Sequence, residues 1–234
     1  MDLLQDKFSG IEGGRVLDVA TGRGEFVAIL KDYLDYLKIV GIDNEERILD
    51  MARENFQDED DIEFIKMDAL AMDFAEAEFD TVCLSNSLHH FEEAGLLGRE
   101  MVRVLKPGGL FLLSEMCRDA NDIQQETYVQ IHHLGAEIDR ARGQCHKETF
   151  TQGQIRKWFD SLGLELFDEF EFSYPSGDVE PERLVAAIRG ACSRISELPE
   201  YEAIKKKGEE IITRLADIGF KYPTQLVMLG RKIM

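Results

Sequence analysis

Two carboxylates at the ends of apolar runs, with a glycine-rich turn after the first, are the residues of this chain best spaced for chemistry. Asp18 lies in Val16-Leu17-Asp18-Val19, and Ala20-Thr21-Gly22-Arg23-Gly24 follows before an amphipathic stretch opens at Glu25. Glycines at 22 and 24 remove Cβ where the backbone must bend sharply or come close to a ligand. Asp43 ends the next apolar run, Ile39-Val40-Gly41-Ile42. It falls at roughly the twenty-residue offset at which an acid meets ribose hydroxyls in nucleotide-binding units. A nucleotide-type ligand lying across strand ends is the chemistry this spacing suits. A dinucleotide fingerprint would place a third glycine where Val27 stands. Its absence favours a ligand with no pyrophosphate to seat on the helix N-terminus.

The second group of candidates is histidine. The five histidines are at 89, 90, 132, 133 and 146. His89 and His90 follow an apolar run and read either as a turn beside the ligand or as a base. His132 and His133 lie on a polar stretch with helical spacing, with Glu137 four residues past His133 and Cys145-His146 at its end. That stretch could be a substrate pocket with a base, a metal site of imidazole, carboxylate and thiolate, or a solvated helix with incidental histidines. His132, His133, His89 and His90 are carried as candidate catalytic bases, and no metal is assigned.

The elements that must position these groups alternate. Short apolar runs at 15–20, 38–42, 62–66, 79–85 and 109–116 are separated mostly by amphipathic stretches such as 24–36, 44–55 and 92–105, which predicts a parallel sheet with helices on both faces. Pro107-Gly108 fits a type II turn that stops a helix ahead of the fifth strand. Thr151 with Gln154 reads as a capping box opening a helix through Leu162. Two more strands are expected at 164–174 and 224–232, with helical segments at 180–197 and 200–219 between them.

The ordered motifs resemble the class I S-adenosylmethionine-dependent methyltransferases. Asp18 through Gly24 is similar to their first motif, and Phe64-Ile65-Lys66-Met67-Asp68-Ala69, Phe79-Asp80-Thr81-Val82-Cys83-Leu84-Ser85, Leu88-His89-His90-Phe91 and Val104-Leu105-Lys106-Pro107-Gly108-Gly109-Leu110-Phe111 follow in family order, over about residues 14 to 117. Ala20 stands where the family has a glycine, a variant that looks like quinone-biosynthesis and related small-molecule enzymes. Its methyl is tolerable if φ there is negative. The resemblance implies a doubly wound, Rossmann-like α/β fold: a mostly parallel seven-stranded sheet with an antiparallel last strand, plus helical inserts.

It also implies S-adenosyl-L-methionine as cofactor. Asp18 would orient the turn near the amino-acid part, and Ala20, Thr21, Gly22 and Gly24 would bring backbone N–H groups close. Asp43 would accept both ribose hydroxyls. Asp68 would accept from the adenine amine, Met67 and Ala69 would frame the ring, and Asn44 with Met67 would pack on its faces. Ser85 and Asn86 would line the methionine moiety. Asp80 reads as a turn residue, while Glu115 either faces substrate or caps the chain's exit.

The function expected is methyl transfer to a small-molecule acceptor by in-line displacement, which needs a base only when the acceptor must lose a proton. The alternative is a non-catalytic S-adenosylmethionine-binding scaffold or sensor. A nicotinamide oxidoreductase is disfavoured by the missing glycine and by Asp68. With 234 residues, 44% hydrophobic, the chain suits one methyltransferase domain over 1–234, with a helical lid insert at 118–148 and a second helical insert at 178–222 available for a homodimer. A net charge of −19 disfavours nucleic acid and anionic membranes as partners. Four scattered cysteines, a short acidic N-terminus and no membrane-length apolar run point to a cytoplasmic protein.

Overall fold

Strands whose apolar residues run without a break bury both faces. Val16, Leu17 and Val19 are all buried, yet Leu17 and Val19 join one core layer and Val16 the other. Phe111 and Leu113 divide from Leu110 and Leu112 in the same way, because successive strand side chains point to opposite faces. A computed structural model describes residues 3–119, 122–174 and 180–234. In chain order its elements are α1 (Leu3–Phe8), β1 (Glu12–Val19), α2 (Glu25–Tyr33), β2 (Asp35–Asp43), α3 (Glu46–Asn55), β3 (Ile62–Lys66), β4 (Phe79–Ser85), α4 (Ala94–Val104), β5 (Leu105–Met116), α5 (Ile123–Ala141), α6 (Gln152–Asp160), β6 (Glu165–Phe172), α7 (Pro181–Ser193), α8 (Tyr201–Ile218) and β7 (Gln225–Arg231). One 3-10 turn, Leu88–His90, lies between β4 and α4.

The seven strands form one sheet in the order β3-β2-β1-β4-β5-β7-β6. The first five are parallel, and β7 runs antiparallel between β5 and β6. Helices α4 and α6 cover one face through Leu97, Met101, Val104, Ile155 and Phe159, whereas α1, α2 and α3 cover the other through Phe8, Val27, Leu30 and Leu49. This is the doubly wound α/β sheet expected, with the antiparallel end reached through α7 and α8. The capping box at Thr151 and Gln154 is present, each side chain bonded to the other residue's backbone N–H. Asp80 is a structural acid: it accepts from the Arg15 backbone N–H and from Lys106 Nζ.

Two expectations are corrected, and helix α1 is an element that no periodicity announced. The Pro107-Gly108 pair does not end the preceding helix: α4 stops at Val104, and the pair lies inside β5. Gly108 there has φ +75° and donates to Lys232 O, so the same turn chemistry serves a local irregularity of the strand. Ala20 has φ +55°, so its methyl sits in the left-handed region and not at negative φ.

The insert segments at 118–148 and 178–222 include residues 120, 121, 178 and 179, which lie outside the described residues. Within them, α5, α7 and α8 pack into a separate apolar cluster of Leu134, Ile138, Ile188, Cys192, Ile195, Ile204 and Ile211. At Gly208 an added Cβ would meet Cys192 Sγ at 3.0 Å, so the helices approach closely there. No helix among the described residues is long and apolar enough to cross a membrane.

Candidate cofactor crevice and histidine cluster

Chain order reverses direction in the sheet beside β1, whose neighbours are β2 and β4, and a ligand crevice opens outside the carboxyl ends at such a switch point. The register places the expected groups there side by side. Asp18 is level with Gly41 and Cys83, Asp43 ends β2 level with Lys66, and Ser85 ends β4 level with Ser114. Met67, Asp68 and Ala69 follow β3 directly, and Met67 N–H donates to Asp43 O at 2.9 Å.

The turn after β1 is tied to β2 at two points, and Asp43 also holds the segment that follows β2. Thr21 N–H donates to Ile42 O at 2.9 Å, Gly22 N–H donates to Asp43 Oδ2 at 3.1 Å, and Glu45 N–H donates to Asp43 Oδ1 at 3.0 Å. Asp43 thus clamps the glycine turn to the start of α3. Gly24 has φ +84°, and a Cβ there would meet Phe56 at 2.6 Å; Gly41 leaves room for Thr21 Oγ1 and the Phe64 ring, each 2.8 Å from where its Cβ would stand.

Thr21 Oγ1 in turn donates to Asp18 Oδ2 at 2.6 Å. Asp18 is buried, and burial is the main reason its pKa is raised to about 7, with the charges of Asp43 and Glu25 adding to it and the Thr21 bond opposing it. A buried carboxyl of this kind gains from a cationic group, which is what the ammonium and sulfonium of the expected cofactor offer.

Asp68 and Asn44 are exposed, Met67 is half-buried and Ala69 is buried. Asp68 Oδ1 accepts from Leu70 N–H at 2.9 Å, so the acid also fixes its own turn. At the end of β4, Asn86 adopts φ +46°, which asparagine tolerates, and its Oδ1 accepts from Met116 N–H at 3.0 Å. Ser87 Oγ bonds Ser85 O at 2.8 Å and lies 3.3 Å from Ala20 O, joining the two strand-end turns.

Behind that join sits a cluster that local spacing did not announce. His89 Nε2 is 3.0 Å from His132 Nε2, which is 3.3 Å from His146 Nε2. The three residues come from the 3-10 turn, from α5 and from the segment after α5. Gly143, φ +81°, reverses the chain there, and Lys147 N–H donates to His89 O at 2.8 Å, docking the segment against the turn.

Two carboxylates stand behind the rings. Asp139, seven residues or two turns after His132 on α5, accepts from His146 Nδ1 at 2.8 Å, a bond that holds the Asp139 carboxyl below its usual range. Buried Glu115 places Oε2 3.5 Å from His89 Nδ1, while its Oε1 accepts from Ser87 and Leu88 N–H. Burial, then His89 and His146, push the His132 pKa down to about 2, keeping the ring neutral.

The remaining candidates fall elsewhere. His133 Nε2 bonds Thr149 at both Oγ1 and N, at 3.0 and 3.2 Å. Glu137 pairs with Lys207, Cys145 is exposed, and His90 is an exposed ring stacked on His146 with centroids 4.0 Å apart. The group of His133, Glu137 and Cys145 is therefore not assembled. Asp139 is the site residue that sequence reasoning did not place, and its two-turn spacing from His132 was the available signal; Glu115, expected to face substrate or cap the chain's exit, stands beside His89 and accepts from Ser87 and Leu88 N–H.

Comparison with known proteins points to one family. The methyltransferase domain family matches residues 17–113. The demethylmenaquinone methyltransferase of Renibacterium salmoninarum is 31% identical over 165 residues, 69% of this chain and 67% of that protein. The demethylmenaquinone methyltransferase of Deinococcus radiodurans is 39% identical over 102 residues, 43% of this chain, and the match spans only 42% of its length. Among solved structures, Haemonchus contortus phosphoethanolamine N-methyltransferase 2 in complex with S-adenosyl-L-methionine superposes with a TM-score of 0.57 at 18% identity, covering 99% of this chain and 51% of that one.

Proposed function

Because this chain belongs to the class I S-adenosylmethionine-dependent methyltransferase family, we propose that it moves a methyl group from S-adenosyl-L-methionine to a small-molecule acceptor by in-line displacement. The observation that carries the reading is the clamp at Asp43, which holds the glycine turn by the Gly22 amide at the switch point of the sheet. When bound, the cofactor supplies an electrophilic methyl on a sulfonium, so the protein's work is alignment and exclusion of water.

In this reading Asp43 receives the ribose hydroxyls and Asp68 the adenine amine, with Met67, Ala69 and Asn44 around the ring. Asp18 stabilises the cationic end, and Ser85 and Asn86 border the reacting methyl. Residues 118–148 act as a lid, and the apolar seam of α5 with α7 and α8 lets the two inserts move as one cap. That seam lies within one chain, so the inserts bury their apolar faces without a second copy. Four cysteines scattered along the sequence suit a cytoplasmic setting. The names of the relatives make a quinone-type ring the first acceptor to test.

The test is calorimetric titration of the full chain with S-adenosylhomocysteine and, separately, NAD, beside Asp43→Ala. Binding of the first alone is expected. Charged hydrogen bonds of about 1.5–3 kcal/mol each make the variant roughly 10- to 150-fold weaker for one bond lost and at least about 150-fold weaker for both. Binding of NAD alone, or an Asp43→Ala variant within threefold of wild type, would overturn the assignment.

A further inference from the structure

We propose that His89, His132 and His146 form a binding site for a divalent first-row transition cation, of which zinc is the reference case, held by their three Nε2 atoms. The geometry is the first argument. With metal–nitrogen bonds of about 2.0–2.1 Å, two tetrahedral ligands stand about 3.3 Å apart. The observed separations are 3.0 Å for His89 to His132 and 3.3 Å for His132 to His146, and all three ligand atoms lie within 4.8 Å of one another.

The second argument is a count of protons. A neutral imidazole carries one proton, and the carboxylate beside a ring fixes which nitrogen has it. Asp139 accepts the hydrogen bond of His146 Nδ1–H, which keeps the proton on Nδ1, so Nε2 of that ring offers a lone pair. His89 Nδ1 is fully buried, has no hydrogen-bond partner, and faces Glu115 at 3.5 Å, which holds its proton on the same side. Two lone pairs therefore converge on His132 Nε2, which has at most one proton to give. One proton cannot bond both rings well, whereas one cation satisfies all three. Carboxylates behind ligating histidines are also the usual outer shell of imidazole metal sites, fixing ring orientation and raising ligand basicity.

Three imidazoles with a fourth position left over is the ligand number of a catalytic, not a purely structural, zinc. The cluster adjoins the crevice through Ser87, two residues before His89, which bridges to Ala20 O. A cation there would bind an acceptor hydroxyl or thiol and lower its pKa. The acceptor proton then leaves to solvent, the S–CH3 bond breaks as the acceptor–CH3 bond forms, and the sulfonium becomes a neutral thioether. This last consequence rests on the function proposed above; the cation site does not.

The experiment uses the full chain, stripped with a chelator and titrated with Co2+ alone, with Zn2+ as competitor. One equivalent of Co2+ is expected, with a visible band of tetrahedral or five-coordinate intensity that Zn2+ abolishes. His132→Gln and His146→Gln should each weaken binding at least 100-fold, and Glu115→Gln should weaken it about 10- to 100-fold. His133→Gln, on the same helix but outside the cluster, should leave the band intact. Urea unfolding followed by the fluorescence of Trp158 reports whether the variants are folded, and S-adenosylhomocysteine is titrated into the same samples separately. Retention of the band in folded His132→Gln, or no cation bound by folded wild type, would overturn the proposal. A cobalt band in wild type that binds no S-adenosylhomocysteine would leave the metal site standing and remove the methyltransferase reading instead.

Discussion

Substituting Asp18 by asparagine should make the protein more stable at pH 8 and change its pH dependence in a calculable way. The asparagine oxygen can still accept from Thr21 Oγ1, so the substitution removes mainly the titration. Asp18 has a native pKa of about 7, against about 3.9 in an unfolded chain. The native state therefore binds the extra proton between these values, and stability falls as pH rises from about 4 to about 7. The full span is about three pH units, or on the order of 4 kcal/mol at about 1.4 kcal/mol per unit. Between pH 5 and pH 8 the portion lost by wild type, and not by Asp18→Asn, is roughly 2.5 kcal/mol. Urea unfolding followed by the fluorescence of Trp158, the single tryptophan, measures it at both pH values. Histidine titrations cancel in the difference between variant and wild type. A difference that changes by less than about 0.5 kcal/mol between the two would refute the reasoning. Binding of a cationic ligand against Asp18 should also release protons below pH 7, visible as a buffer-dependent enthalpy that Asp18→Asn lacks.

Ala20→Gly should raise stability by about 0.5–1 kcal/mol, because relief of left-handed strain worth about 1–2 kcal/mol exceeds the glycine entropy cost of about 0.5–1 kcal/mol; a loss in urea unfolding would show that the methyl's packing outweighs the strain. Gly41→Ala should cost about 1–3 kcal/mol, since its Cβ would stand 2.8 Å from both Phe64 and Thr21 Oγ1. The same change should disturb the Thr21 bond to Asp18 and shift the midpoint of ligand-linked proton release; unchanged values of both would refute the close packing. Thr151→Ala should lower stability by about 1 kcal/mol through loss of the capping box, measured by thermal unfolding, and no change would mean the cap is satisfied otherwise.

The sheet was legible because strands buried on both faces are apolar on both sides: Val16, Leu17 and Val19 around Asp18, and Ile39 to Ile42, leave no other reading once amphipathic stretches separate them. That Asp18, Asp43 and Asp68 stand at neighbouring strand ends was legible because a parallel sheet brings the ends of its strands together. Pro107-Gly108 misled because a strand irregularity uses the same dihedral angles as a turn. Ala20 misled because side chain identity does not fix the sign of φ. The histidine cluster was illegible for a different reason. Local spacing pairs His132 with its neighbour His133, but adjacent helical residues point about 100° apart, and the true partners come from a turn 43 residues before and a segment 14 residues after.

The position of β7 has a consequence for how the chain is made. It is the last described strand in sequence yet lies inside the sheet, bonded on one side to β5 and on the other to β6. During vectorial synthesis the edge of β5 stays unpaired, and β6 has no neighbour to join, until Gln225–Arg231 has left the ribosome. The nascent protein thus carries an apolar open edge through translation of α5 to α8, a window in which chaperone capture or aggregation competes with closure.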